Sequence, residues 1–407
     1  MVTFFLLIIY LAFISLGLPD SLLGVAWPAM QPDIGAAFES AGLLSMVVTG
    51  GTIVSSLISG SVIERFGTGM VTLVSCLLTA SALLGFAYAP SLFWLILLAI
   101  PLGLGAGAVD TGLNHYVANH YKAHHMSWLH CFWGVGATLG PIIMSYSMGT
   151  NGAWRDGYYT VSMLQFVLVF ILLLTLPLWR IVASQHRQPE GMIEEQTGNE
   201  STNSDEAIVQ KHGKPLQIRG VKITLLAFLF YCGVEATVGL WGASFLVGTR
   251  DLSPETAAVW VSMYYGGITF GRFITGFVTL RLNNRTLIRA GQVTAIIGAV
   301  LLLLPLHSYL SLIGLIVIGL GLAPIFPCLL HETPARFGKA QSSRIMGYQM
   351  AVAYTGTTIL PPLFGIVAAQ ISIGLFPVVI LLFALIMLLS SEKVNRILYH
   401  SRKARLD

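Results

Sequence analysis

Charge is the scarcest ingredient of this sequence. Of 407 residues only 18 are Asp or Glu and 22 are Lys or Arg, against 55% hydrophobic residues and a mean hydropathy of +0.77. A water-soluble globule carries roughly a quarter of its residues charged, so a soluble enzyme is excluded from the outset. Cysteine is also sparse: Cys76, Cys131, Cys232 and Cys328 all lie in apolar runs with no Cys-x-x-Cys spacing. That pattern points to packing residues, with neither a metal site nor a disulfide framework. The chain has no basic start before its first apolar run, and that run, Val2 to Ala29, is too long for a signal-peptide core. It reads as a retained spanning helix.

What the chain has in quantity is apolar segments. Stretches long enough to cross about 30 Å of hydrocarbon are predicted at 3-29, 39-63, 70-89, 92-118, 126-149 and 157-182, and again at 220-247, 255-279, 286-306, 308-332, 342-370 and 372-390. Between the two sets lies a polar stretch with too little apolar surface to fold alone. The expected architecture is an all-α integral membrane protein of twelve transmembrane helices in two pseudo-symmetric six-helix bundles. Residues 1-182 and 220-407 form the bundles, 183-219 the cytoplasmic linker, and a short cytoplasmic tail ends the second. The 42 glycines suit such a bundle, because small residues let helices approach closely in lipid.

Cytoplasmic loops collect Lys and Arg. With both termini inside the cell, nineteen of the twenty-two bases fall on the cytoplasmic side, only Arg155 and Arg250 face outward, and Arg272 lies within a span. The expected location is the cell inner (plasma) membrane, multi-pass, with both termini cytoplasmic. The basic excess thus orients the chain in a bilayer, and no nucleic-acid partner is expected. A monomer is expected.

The two halves also match at a nearly constant offset of 216. Gly50-Gly51, Gly60 and Arg65 recur as Gly266-Gly267, Gly276 and Arg281, and Gly103-Leu104-Gly105 recurs as Gly319-Leu320-Gly321. Parallel repeats joined by a linker are how a two-bundle transporter builds a site at the midplane and opens it to each side in turn by rocking.

An ionisable residue inside a span is expensive and marks a functional site by default. Asp20, Asp110, Glu235 and Arg272 are the ones here. A carboxylate in a low-dielectric cavity favours its neutral form, which suits proton exchange near neutral pH. Asp110 and Asn114 stand four apart on one face of the fourth span, and His130, Trp133, Gly134 and Ala137 form a stripe on the fifth. Acid and amide groups bind hydroxyls and an aromatic face stacks on a sugar ring. Asp20 and Glu235 lie 215 apart, so both should face one cavity, where two carboxylates would repel. Gln349, related to His130 by a similar offset of 219, is a candidate polar contact. Arg272, about two turns from its helix end, reads as a snorkelling base, with a charge-pair switch as the alternative. The histidines at 115, 120, 124 and 125 read as a wetted loop without metal-ligand spacing.

The loop after the second span, Gly60-Ser61-Val62-Ile63-Glu64-Arg65-Phe66-Gly67, resembles the Gly-x-x-x-Asp-Arg-x-Gly signature of the major facilitator superfamily, with Glu for Asp and no base at Gly69. That resemblance implies a gating latch at Gly60, Glu64 and Arg65, with Arg281 in the second copy. Asp110-Thr111-x-x-Asn114-x-Tyr116 and His130-x-Phe132-Trp133 look like the fucose/proton symporter branch and its bacterial glucose-transporter relatives, as does Tyr231-Cys232-Gly233-Val234-Glu235. By that likeness Asp110 carries the coupling proton, assisted by Glu235 and Asp20, while Asn114, His130, Trp133 and Tyr231 contact a sugar. The expected function is secondary active, proton-coupled uptake of a sugar or similar small polar solute, with no cofactor and with Na⁺ as the alternative coupling ion. Drug/proton antiport is the competing function, because Gly136-Ala137-Thr138-Leu139-Gly140-Pro141 matches the first part of an antiporter signature but lacks its closing glycines. An enzyme is not expected, since His130 has no nucleophile partner.

Overall fold

A computed structural model describes residues 2–121, 123–151, 153–185, 215–279 and 281–403. Among these residues there is no strand. The first predicted span is broken into α1 (Val2–Asp20) and α2 (Leu22–Asp33), which meet at Ser21 just after Pro19. The next five are single helices: α3 (Ser40–Phe66), α4 (Thr68–Tyr88), α5 (Leu92–His120), α6 (Ala123–Asn151) and α7 (Trp154–Gln185). In the second half α8 (Val221–Arg250), α9 (Pro254–Val278) and α10 (Asn284–Leu303) precede a divided tenth span, α11 (Tyr309–Leu322) and α12 (Ile325–His331). The division falls at Ala323-Pro324, where a proline lacks the N–H that a continuous helix needs. A single turn, α13 (Thr333–Phe337), then leads to α14 (Lys339–Gln370) and α15 (Phe376–Lys403). Of the predicted linker, residues 186–214 lie outside the described residues.

Among the described residues, ten helical segments are long and apolar enough to cross a bilayer. The two spans not among them, α6 and α9, are long enough but diluted by polar groups such as His130 and Arg272. These two pack along each other. Outward-facing side chains such as Val167, Phe170, Leu174, Phe277 and Leu389 are exposed, forming the kind of apolar surface that hydrocarbon solvates.

The repeat is visible atom by atom. A Cβ added at Gly51 would sit 3.2 Å from the Ile100 oxygen, the Gly103 Cα and the Leu104 nitrogen. One added at Gly267, 216 residues on, would meet the corresponding atoms of Ile316, Gly319 and Leu320 at 2.7, 3.4 and 3.2 Å. Each half therefore uses the same glycine crossing, between α3 and α5 and between α9 and α11.

The halves meet unevenly. Toward one end a single apolar cluster runs through both, from Leu22, Val25 and Trp27 of α2 and Leu44 of α3 to Val238 and Trp241 of α8 and Phe364 of α14. Phe38 stacks on Trp241 at 4.9 Å, the Trp27 indole donates to the Phe38 carbonyl at 2.9 Å, and the Trp241 indole donates to the Pro361 carbonyl at 2.8 Å. This is the sealed end. At the other end the buried side chains separate into one cluster around Phe5, Leu113 and Trp179 and another around Val221, Leu225 and Ile345. The molecule is split there, between the halves.

The two bases that break the charge rule act as staples at the sealed end. Arg155 pairs with Asp33 and donates to the Ala89 carbonyl at 3.1 Å. Arg250 donates to the Leu302 and Leu304 carbonyls at 2.8 and 3.1 Å and to the Ser311 hydroxyl at 3.0 Å, tying α8 to the turn between α10 and α11.

Candidate functional site

Two adjoining chambers of about 350 and 290 Å³ occupy the space between the halves. Asp20, Thr52, Trp133, Glu235 and Tyr354 line both. The larger extends toward the sealed end past Ser45, Thr49 and Tyr265, and the smaller toward the split end past Asp110, His130, Tyr231, Arg272 and Phe326.

Trp133 is the centre of this cavity because two glycines let other helices reach it. At Gly17 the backbone of α1 lies against the Trp133 carbonyl and the Ala137 nitrogen, so that no Cβ fits. Three residues on, at the break between α1 and α2, Asp20 Oδ2 accepts the Trp133 indole N–H at 2.8 Å. At Gly134 the side chain of Thr269 on α9 fills the space of a missing Cβ. Three residues beyond Thr269, the Arg272 guanidinium lies over the Trp133 ring, 5.4 Å from its centroid. Arg272 in turn pairs with Glu235 Oε1 at 3.4 Å, and the Tyr264 hydroxyl donates to the Glu235 backbone carbonyl at 3.1 Å. One indole thus joins an acid of the first half to an ion pair of the second.

The remaining site residues separate into three groups. Asp110 faces the smaller chamber, and the Asn114 amide donates both to its carboxylate at 2.8 Å and to its backbone carbonyl at 2.9 Å. Asn114 therefore serves the acid first. His130 is exposed to the same chamber, edge-on to Phe13 at 6.0 Å. Tyr231 lines it too, its hydroxyl buried and without a hydrogen bond of ordinary geometry. Gln349 does not line either chamber: it is fully buried in α14, where its amide and the Thr333 hydroxyl hydrogen-bond at 2.9 Å. The offset that nominated it assumes that corresponding positions share surroundings, and the second half buries this one.

Gly60, Glu64 and Arg65 are exposed at the split end, Gly60 with open space where a Cβ would be. Among the described residues neither Glu64 nor Arg65 has an ion-pair partner, and Arg65 lies only over the Phe66 ring at 5.4 Å. Arg281 is exposed as well. In that region Arg285 lies 3.7 Å from Glu332, which also holds the buried Arg336 at 3.2 Å, and Arg289 pairs with Glu392, its Nε donating to Oε1 at 2.7 Å. The side chains at 115, 120 and 124 lie outside the described residues, and His125 bonds to the Tyr10 hydroxyl at 2.9 Å.

Arg272 corrects the sequence reading most sharply. It does not snorkel to the helix end but turns inward, with a side chain only 17% exposed. Tyr265, one of the larger chamber's lining residues, is seven positions earlier on the same helical face, a spacing that marked that face as polar. The expected repulsion between Asp20 and Glu235 is also relieved, since each acid has its own donor, Trp133 and Arg272.

A family profile described as the Major Facilitator Superfamily matches residues 9–331 and again residues 223–398. The chain belongs to that superfamily. It is therefore a multi-pass membrane transporter rather than an enzyme. Among curated relatives, the glucose/mannose transporter GlcP of Bacillus subtilis is 25% identical over 245 residues, which span 58% of this chain and 57% of that one. The sodium-dependent glucose transporter 1A of Mus musculus is 22% identical over 348 residues, 78% of this chain and 79% of that one. Among solved structures, the nucleoside transporter NupG superposes with a TM-score of 0.71 at 15% identity, covering 96% and 98% of the two chains. A D-xylose-proton symporter superposes at 0.69 and 13% identity, with 96% of each covered.

Within this superfamily chain the repeat stops at the cavity wall. The position 216 residues after Asp110 is Phe326, which faces the same smaller chamber. The two halves share their crossings and differ in their lining.

Proposed function

We propose that this protein imports a sugar or similar small polyhydroxylated solute, driven by protons, by alternating access. The observation that carries the reading is the Trp133 plate: an indole in the cavity between the halves, with Asp20 at its edge and Asp110 and His130 in the adjoining chamber. Such a plate suits the apolar face of a pyranose, and acids and imidazole suit its hydroxyls. The two glucose-transporting relatives and the D-xylose-proton symporter support the same substrate class.

Asp110 and Asp20 are the acids that exchange protons, because their side-chain partners are the neutral donors Asn114 and Trp133. Glu235 is the counter-ion of Arg272, which moves it out of the proton-exchanging role assigned from sequence. The split end, which bears Arg65, Arg219 and Lys222, faces the cytoplasm by the charge rule, so this arrangement is open inward, in the plasma membrane.

The test is uptake into proteoliposomes. Labelled hexoses, pentoses and nucleosides are offered under an inside-alkaline pH gradient, in parallel with a Na⁺ gradient and with an assay of dye efflux. Sugar accumulation that collapses with a protonophore is expected. Accumulation driven by Na⁺ alone would replace the coupling ion, and dye efflux without sugar uptake would overturn the reading.

A further inference from the structure

We propose that Arg272 and the solute compete for one aromatic ring: the guanidinium occupies Trp133 while the cavity is empty and is driven onto Glu235 when a solute stacks there. The inference rests on the polyol reading of the cavity and deepens it, naming the residue through which binding in the first half is felt in the second.

The geometry carries the argument. Arg272 lies over the Trp133 ring at 5.4 Å, and it lines the smaller chamber together with His130 and Asp110. A solute that touches those groups and the indole together meets the guanidinium. Its alternative partner is already in place but loosely held: a single contact to Glu235 Oε1 at 3.4 Å, where a full charge-assisted bond closes to about 2.7–2.9 Å. Beside that pair the Tyr231 hydroxyl is buried without a hydrogen bond of ordinary geometry. Arg272 and Glu235 already interact with that hydroxyl, so a guanidinium leaving the ring can tighten on Glu235 and on Tyr231 in the same movement. Trp133 belongs to α6 and the other three residues to α8 and α9, so loading the first half consolidates a contact network in the second. A ligand shifts a conformational balance only through such a difference in contacts between states.

The consequence is opposite to that of a direct binding residue. Arg272→Gln removes the competitor, so solute affinity rises by about three- to tenfold, the span expected from a cation–π contact partly shielded from water. Net uptake falls, because displacement no longer engages Glu235 and Tyr231. The experiment measures equilibrium binding of the labelled sugar that wild-type protein takes up, together with net uptake, for wild type, Arg272→Gln and the charge-neutral double variant Arg272→Gln/Glu235→Gln. The double variant guards against misfolding from an unpaired Glu235 and carries the same expectation. Tighter binding with slower uptake in either variant supports competition. Unchanged or weaker binding in a folded variant overturns it and makes Arg272 a supporting contact. Absence of sugar binding by the wild type would instead remove the polyol reading itself, and this inference with it.

Discussion

Gly24→Ala should turn the protein outward. At Gly24 of α2 the two halves meet closely at the sealed end: an added Cβ would fall 2.8 Å from the Leu240 Cα and 2.9 Å from its carbonyl oxygen, and closer still to the Gly239 oxygen. Carbon atoms in contact rest about 3.5–4.0 Å apart, and every atom met here is backbone, which cannot rotate aside. The helices α2 and α8 must separate, at a strain of about 1–3 kcal/mol. That strain exists only while the sealed end is closed, so it is subtracted from the inward-open state alone. At about 1.4 kcal/mol per decade, the ratio of outward-open to inward-open protein rises about 5- to 150-fold.

The assay uses Ser45→Cys, which lines the larger chamber toward the sealed end, in a background with Cys76, Cys131, Cys232 and Cys328 replaced. A membrane-impermeant thiol reagent applied outside intact cells should label it faster when Gly24→Ala is present. Gly103→Ala is the control, because its Cβ would strike the Val48 carbonyl inside one half. It should lower thermal stability without altering the labelling rate. Equal Ser45→Cys labelling with and without Gly24→Ala, or a matching acceleration by Gly103→Ala, would refute the reasoning.

Three further substitutions address the cavity and its surroundings. Asp110→Asn should abolish proton-driven accumulation while solute exchange across the membrane persists, and unchanged accumulation in the uptake assay would remove Asp110 from coupling. His130→Ala should weaken solute binding by about 1 kcal/mol, or roughly fivefold, for a lost neutral hydrogen bond, and an unaltered dissociation constant would dismiss it as a contact. Gln349→Leu should cost about 1–3 kcal/mol of stability by depriving the buried Thr333 of its amide partner. Solute affinity should stay as it is, and an affinity change without a stability change would return Gln349 to the cavity.

How far the sequence reaches is best judged residue by residue. Twelve apolar spans and the offset of 216 are legible because lipid demands long apolar helices and close crossings demand glycine at fixed places; the matched contacts of Gly51 and Gly267 are the result. The breaks at Ser21 and Pro324 are not legible from hydropathy, which measures how oily a stretch is and not whether its backbone continues. Arg272 was misread because counting turns from a helix end gives depth but no direction, and direction depends on Gly134 admitting Thr269. Gln349 failed for the converse reason: the offset carries over packing, whereas surroundings at 349 belong to Thr333. That Asp20, Asp110, Glu235, His130 and Trp133 line one cavity is legible because charge and polarity inside an apolar span have few tolerable positions, and a shared cavity is one of them.

The mismatch of Asp110 with Phe326 sets a carboxylate and an aromatic ring at corresponding places of the two lobes, facing one chamber. Whatever occupies that chamber is gripped unequally from the two sides, whichever mouth stands open. Duplication supplied the moving frame, and divergence of a few wall positions supplied the seat.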